Sequence, residues 1–193
     1  RYIRISSFSP STYQEFVTAL NDIDKCKGLI IDVRNNPGGI LQTVVDICDT
    51  LLPQSTVVYT KTRDGKEKHF KSDKSFINLP VAVLINGESA SASEILAGAI
   101  KDNKAGLLIG EKTYGKGSVQ EIFPFKDNSA LKLTIAYYYT PSGVCINGIG
   151  IEPDFEVAIP EDTLNQPVTT LSADNDPQLL KAIELISSGK ITR

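Results

Sequence analysis

The stretch VAVLINGESASASEILAGAI at 81–100 decides the fold, because it joins an apolar strand directly to an apolar helix. Its first five residues are all apolar, which is typical of a strand covered on both faces of a sheet. Apolar residues recur at helical spacing over 91–103, and Ser91 with Glu94 matches the S-x-x-E capping box. The stretch therefore predicts a strand, a tight turn that carries three alternating serines, and a helix.

Similar units recur along the chain. β-branched and aromatic residues predict strands, and apolar periodicity predicts helices. The predicted strands are 2–8, 28–34, 56–62, 81–87, 106–111, 119–125, 130–140 and 155–159, and the predicted helices are 11–24, 40–52, 91–103 and 177–189. Buried strands followed directly by helices indicate an α/β sheet, with a more antiparallel set of strands from 119 onward. We expect a charged loop at 63–79 and an exposed connector at 162–176, with a polar N-cap region before Pro177.

Composition excludes several classes of protein. The 193 residues, 41% of them hydrophobic and 22% charged, fit one globular domain. A net charge of −3 predicts no nucleic-acid partner, and the apolar runs are too short to span a bilayer. The sequence contains no methionine and opens almost directly in a strand, so we expect 1–193 to be a single domain cut from a longer protein.

The cysteines and the single histidine limit which kinds of site the chain can form. Cys26, Cys48 and Cys145 are odd in number and lack CxxC spacing, so they predict neither a disulfide framework nor a thiolate metal site. The single histidine, His69, lies in a charged segment where a solvated position is expected. A Ser–His–Asp mechanism would have to use His69.

Three loops contain residues that suit acyl-transfer chemistry. The Gly38–Gly39 pair in RNNPGGI (34–40) could present backbone N–H groups to an oxyanion, or could only form a tight turn. Ser91 could be a nucleophile or only a helix cap, and the difference is whether a base is available. Lys116, between two glycines, could be that base if its amine were neutral, or could be a solvated turn residue. Gln120 lies four residues further on, so an extended segment would place it on the same face.

These segments together resemble the C-terminal processing peptidases, also called tail-specific proteases, which are serine peptidases with a Ser–Lys mechanism. The matching segments appear in the family's order over most of 2–157, and the most specific pairing is SASASEI followed by TYGKGSVQ. The resemblance implies an α/β fold with a Clp protease/crotonase-like core, a mixed sheet flanked by helices. It implies that Ser91 is the nucleophile, Lys116 the general base and Gln120 the supporting polar residue. It also implies an oxyanion hole formed by the backbone of Gly38 or Gly39 with the N–H of Ala92.

The expected function follows from this resemblance. It is a serine endopeptidase domain that cleaves protein substrates near their C-termini, binds them in extended form and needs no metal or organic cofactor. The family setting is extracytoplasmic or an organellar lumen. The PDZ domain that family members usually carry has no counterpart in this sequence. Glu88 stands where an uncharged residue is more usual, and it could alter substrate preference or stabilise protonated Lys116.

Two alternatives stay open at this point. One is a non-catalytic peptide- or ligand-binding module that keeps the fold, including an isolated core that is inactive. The other is an acyl-transfer enzyme on a crotonase-like sheet that acts on thioesters. The combination of Ser91, Lys116 and Gln120 argues against both.

Overall fold

The computed structural model of the chain describes residues 1–73, 75–159 and 173–191. Within those residues the helices are α1 (Thr12–Ala19), α2 (Leu41–Leu51), α3 (Ala92–Asp102) and α4 (Pro177–Ser187). The strands there are β1 (Tyr2–Arg4), β2 (Leu29–Asp32), β3 (Thr56–Thr62), β4 (Glu67–Lys71), β5 (Val81–Ile85), β6 (Leu107–Gly110), β7 (Ser118–Pro124), β8 (Ala130–Tyr139) and β9 (Phe155–Glu156).

A five-stranded parallel sheet with the order β1-β2-β5-β6-β9 forms the centre of the molecule. Its central strands β2, β5 and β6 are mostly apolar on both faces because both faces are covered. Ile31 and Val83 are paired in register and belong to the larger core, which also contains residues of α1, α2 and α3. Ile30 and Ala82, one residue earlier, face the opposite side and pack in the cluster that contains α4. The predicted α/β architecture is confirmed.

A second sheet is antiparallel, with the order β4-β3-β8-β7. The strands of this sheet differ from the predicted set, which began at residue 119. β3 and β4 precede residue 119 yet pair in this sheet, whereas β9, which follows it, joins the parallel sheet. The predicted loop 63–79 was wrong in part, since β4 lies within it. β4 has charged residues because its side chains are mostly exposed at the sheet edge, so no apolar alternation reveals it. The predicted connector 162–176 falls largely outside the described residues.

Helix α3 lies against both sheets, and its residues from Ala92 to Ile100 are all buried. Small side chains permit this close packing. A Cβ at Gly98 would stand 2.9 Å from the Cγ2 of Thr140, which follows β8. Among the described residues, no helix is long and apolar enough to cross a membrane.

The parallel strands place three loops at one edge of the sheet. β2, β5 and β6 run in the same direction, so the loops that follow them, 33–40, 86–91 and 111–117, leave from their carboxyl ends. Ligands of open α/β sheets bind at this edge. These loops carry the glycine pair, the serines and the lysine that the sequence singled out.

Candidate active site

Of the three alternating serines, only Ser91 has access to solvent. Ser89 and Ser93 are fully buried, and their hydroxyls donate to the carbonyl oxygens of Val33 (2.8 Å) and Asn36 (2.9 Å). Ser91 is half-buried at the N-cap of α3, with the unusual backbone angles φ 56° and ψ −113°. A non-glycine residue in such a conformation costs about 1–3 kcal/mol and persists only where its surroundings hold it. The turn therefore aims one serine outward and uses the other two to hold itself.

The Glu94 arm of the predicted capping box of Ser91 and Glu94 is formed. The Glu94 carboxylate accepts the Ser91 N–H through Oε2 at 2.8 Å, and the Glu94 N–H donates to the Ser91 carbonyl at 2.9 Å. The helix cap and the candidate nucleophile are thus the same residue.

Glu94 has a second set of partners that the sequence did not reveal. Its side chain is fully buried and also accepts the N–H of Lys116 (2.8 Å), the N–H of Gly115 (2.6 Å) and the hydroxyl of Thr113 (2.7 Å). One carboxylate therefore ties the turn of Ser91 to the loop of Lys116. Only the capping pattern was visible in the sequence, because the other donors lie 19 to 22 residues away.

The glycine loop packs directly against the turn of Ser91. A Cβ at Gly38 (φ 103°) would lie 2.7 Å from the Ala90 carbonyl oxygen, 2.8 Å from the Ser91 Cβ and 2.9 Å from the Ala92 nitrogen. Such distances exclude a side chain, so Gly38 is required by close approach as well as by its backbone angle. At Gly39 a Cβ would lie 2.2 Å from a backbone oxygen of residue 8.

Asn36 holds this loop in place and was not singled out by the sequence. It is fully buried, and its side chain donates to the Ile5 carbonyl (2.8 Å) and accepts the Gly38 N–H (2.9 Å). Its own carbonyl accepts the Ala90 N–H (3.0 Å) and the Ser93 hydroxyl. The side chain fixes the glycine turn, and the carbonyl joins that turn to the serine turn.

The amides around Ser91 differ in their hydrogen bonding. The Gly38 N–H is used by Asn36, whereas the amides of Gly39 and Ala92 have no acceptor within the part of the chain that the structure describes. Gly39 forms a parallel bridge with Phe8 in which the Phe8 amide and carbonyl bond to the residues on either side of Gly39. The Gly39 N–H therefore points away from Phe8.

The side chains of Lys116 and Gln120 are both exposed. Among the described residues, the Lys116 amine makes no hydrogen bond or ion pair, so its contact with the Ser91 hydroxyl is not made in this structure. Lys116 lies in the loop before β7, and the pairing of β7 with β8 is irregular between Val119 and Gln120. Because of this register shift, strict alternation along the strand does not by itself place these two side chains on one face.

Glu88 and His69 lie outside the hydrogen-bonded site. Glu88 is exposed, and within the described part of the chain only its N–H is hydrogen-bonded, to the Asn86 side chain at 3.2 Å. Within the described residues its carboxylate has no ion pair with Lys116. His69 is on β4, stacked on Tyr59 at 4.8 Å and next to Glu67, and it makes no contact with Ser91.

Comparison with known proteins gives close relatives. The carboxyl-terminal-processing protease of Synechocystis is 40% identical over 194 residues, covering 97% of this chain and 44% of the relative. The chloroplastic C-terminal processing peptidase of Tetradesmus obliquus is 36% identical over 185 residues, covering 92% of this chain and 40% of the relative. The solved photosystem II D1 C-terminal processing protease superposes with a TM-score of 0.79 at 37% identity, covering 82% of this chain and 43% of that one.

The chain thus spans less than half the length of these relatives. Their likeness confirms the expected fold class, the Clp protease/crotonase-like core with parallel and antiparallel sheets flanked by helices. The sequence profile described as peptidase family S41 matches residues 1–157. The resemblance noted in the sequence is confirmed, and the chain belongs to peptidase family S41.

Proposed function

We propose that this chain is the catalytic core of a serine endopeptidase that cleaves protein substrates near their C-termini. The observation that carries the proposal is the placement of Ser91, the one serine of its turn that reaches solvent, with its N–H on the same carboxylate oxygen as the Lys116 N–H. Family membership supports a peptidase, and the names of the relatives support processing at carboxyl termini.

In the proposed reaction the Lys116 amine, in its neutral form, takes the proton from the Ser91 hydroxyl. The serine oxygen attacks the scissile carbonyl, and the amine returns the proton to the leaving nitrogen. Water then attacks the acyl-serine while Lys116 accepts a proton from it. Lys116 passes that proton to the Ser91 oxygen as the acid leaves, which restores the neutral amine and the serine hydroxyl. Gln120 would orient the amine without adding a charge. The lysine side chain has to move from solvent onto Ser91, and such contacts often tighten only when substrate is bound.

We assign the oxyanion donors to the N–H groups of Ala92 and Gly39. Both amides lack an acceptor among the described residues, and the loop of Gly39 packs on the turn of Ser91. Gly38, the other donor that the resemblance suggested, is a poorer candidate because its N–H already donates to Asn36. Two preorganised donors at this place stabilise the charge that develops on the attacked carbonyl oxygen.

The substrate in this proposal is an extended polypeptide in an extracytoplasmic or organellar compartment. A peptidase of this family acts on protein chains, and four relatives are named chloroplastic. An extended chain can pair through its main chain with an exposed sheet edge.

The test combines labelling with cleavage. Wild-type protein is expected to react with a serine-directed fluorophosphonate and to cut tail-bearing peptides near their C-termini, with products identified by mass. Ser91→Ala should lose both, and Lys116→Ala should lose cleavage. Ser75→Ala and Lys112→Ala are the matched controls, since both residues are exposed and Lys112 lies in the same loop as Lys116. Equal labelling of wild type and Ser91→Ala would refute the assignment of the nucleophile.

A further inference from the structure

The C-terminal helix α4 is attached to the edge of the sheet that carries the candidate active site, through the side chain of Arg34. One edge of the Arg34 guanidinium bonds to Asp32 (2.9 and 2.7 Å), and the other bonds to Asp176, the N-cap of α4 (3.0 and 2.7 Å). A fifth bond runs to the Gln178 side chain at 2.9 Å. All five donors of the guanidinium are used, and Arg34 is 1% exposed.

Asp176 and Gln178 connect this cluster to two further elements. Asp176 accepts the N–H groups of Gln178 (3.1 Å) and Leu179 (3.0 Å) and so caps α4. The Gln178 amide donates to the carbonyl of Val157, just after β9, at 2.7 Å. Burial alone would lower the pKa of Arg34, but its hydrogen bonds to Asp32 and Asp176 raise it instead, so the guanidinium is a fixed charge. Removing either carboxylate would leave part of a buried cation without an acceptor.

Arg34 is also near the start of the loop 33–40, which carries the glycine pair. Its N–H donates to Asp32 (3.0 Å), and its carbonyl accepts a guanidinium N–H of Arg4 (3.2 Å). The next residue, Asn35, has a left-handed backbone (φ 58°), and Asn36 then holds the glycines. The loop is therefore anchored at its start by the Arg34 cluster and at its far end by Asn36.

We propose that Asp176 is a positioning residue for the peptidase reaction, acting through Arg34 to hold the loop 34–39 against Ser91. The inference rests on the proposed function, because that loop supplies the Gly39 oxyanion donor. The helix α4 is then part of the catalytic apparatus as well as a cover for one face of the sheet. Asp176 stands 142 residues from Arg34 in the chain, so spacing could not reveal the pair.

The experiment compares Asp176→Asn with Asp174→Asn in the otherwise intact protein. Asp174 is an exposed acid two residues away and changes the net charge equally. With a tail-bearing peptide, we expect Asp176→Asn to lower kcat at least about tenfold and to leave KM within about twofold, since a displaced oxyanion donor weakens the transition state rather than substrate binding. Asp174→Asn should match wild type. Asp176→Glu, which keeps the charge, should recover more of kcat than Asp176→Asn.

All rates are measured at a temperature at which circular dichroism shows each variant to be folded. A lower Tm with unchanged kcat per folded molecule would overturn the inference, because a purely structural contact gives that result. If Asp176→Asn does not fold, Gln178→Ala takes its place, because it removes a single bond to the same guanidinium. We expect Gln178→Ala to lower kcat as well. An unchanged kcat in that variant would also overturn the inference. Failure of the proposed function gives a different result. In that case the Ser91→Ala variant would cleave the peptide as fast as the wild type does.

Discussion

The amides of Ser91 and Lys116 donate to a single oxygen atom, Oε2 of Glu94, each at 2.8 Å. The two backbones, 25 positions apart in the chain, are therefore held at a fixed separation while the lysine side chain remains free in solvent. The other oxygen of Glu94 binds Thr113 and Gly115. The structure thus fixes the main chains of Ser91 and Lys116 relative to each other, and the proposed contact between their side chains is not made in it.

Replacing Glu94 with glutamine should disrupt this arrangement. Glutamine has one acceptor oxygen, so two of the four donors would face its NH₂ group. Since each unpaired buried donor costs about 1–3 kcal/mol, the free energy of unfolding should fall by roughly 2–6 kcal/mol. Chemical denaturation measures that change, and fluorophosphonate labelling of the folded fraction should be slowed. Glu88→Gln, an exposed control on the same turn, should match wild type in both. Unchanged labelling of folded Glu94→Gln would show that the carboxylate does not position Ser91.

Gly38→Ala should abolish peptidase activity, because the new Cβ would stand within 3 Å of the Ala90, Ser91 and Ala92 backbone turn. Gly65→Ala is the matched control. Gly65 also has a positive φ (85°), but its Cβ would meet nothing within 4 Å. The control should retain activity and lose only about 1–2 kcal/mol of stability from backbone strain. Peptide turnover and thermal unfolding of both variants give the comparison, and equal activity would mean that the loop of Gly38 is not close to Ser91 during the reaction.

Glu88 should influence substrate choice and not the chemical step. Its carboxylate is exposed and has no ion pair among the described residues. An exposed charge contributes about 0.2–1 kcal/mol to an interaction, which corresponds to a change of up to about fivefold. We expect Glu88→Gln to shift the ratio of kcat/KM between peptides with lysine and with glutamate near the cut by that amount. A large loss of kcat with every peptide would instead indicate that Glu88 acts on Lys116.

The Tyr2 hydroxyl should lose its proton at an unusually high pH. Partial burial of the ring, together with a hydrogen bond of 2.6 Å to Asp32, raises the pKa of Tyr2 from about 10 to about 12. A raised pKa means that the native state holds this proton more tightly than the unfolded state. Its stabilisation is therefore complete below about pH 10 and is lost as the pH rises towards about 12. The difference in tyrosinate absorbance between wild type and Tyr2→Phe measures the titration, and a midpoint near 10 would contradict the contact with Asp32.

Local features of the sequence were sufficient for most of the fold. Apolar runs predicted the three central strands of the parallel sheet, β2, β5 and β6, which are buried or nearly so. Periodicity predicted α2, α3 and α4 to within a few residues, whereas α1 ends earlier than predicted. The polar N-cap before Pro177 was also predicted, and Asp176 occupies it. The edge strand β4 was missed, because an exposed, charged strand has no apolar pattern.

The sequence by itself determined that a strand, a turn and a capped helix place Ser91 at a sheet edge. Those signals depend on residues within four positions of one another, and local geometry dictates them. Only the tertiary structure decided which serine reaches solvent, that Glu94 also holds the loop of Lys116, and that Asp176 meets Arg34. These partners are brought together by the order of strands and by packing, and side chains that meet across a fold carry no fixed spacing along the chain.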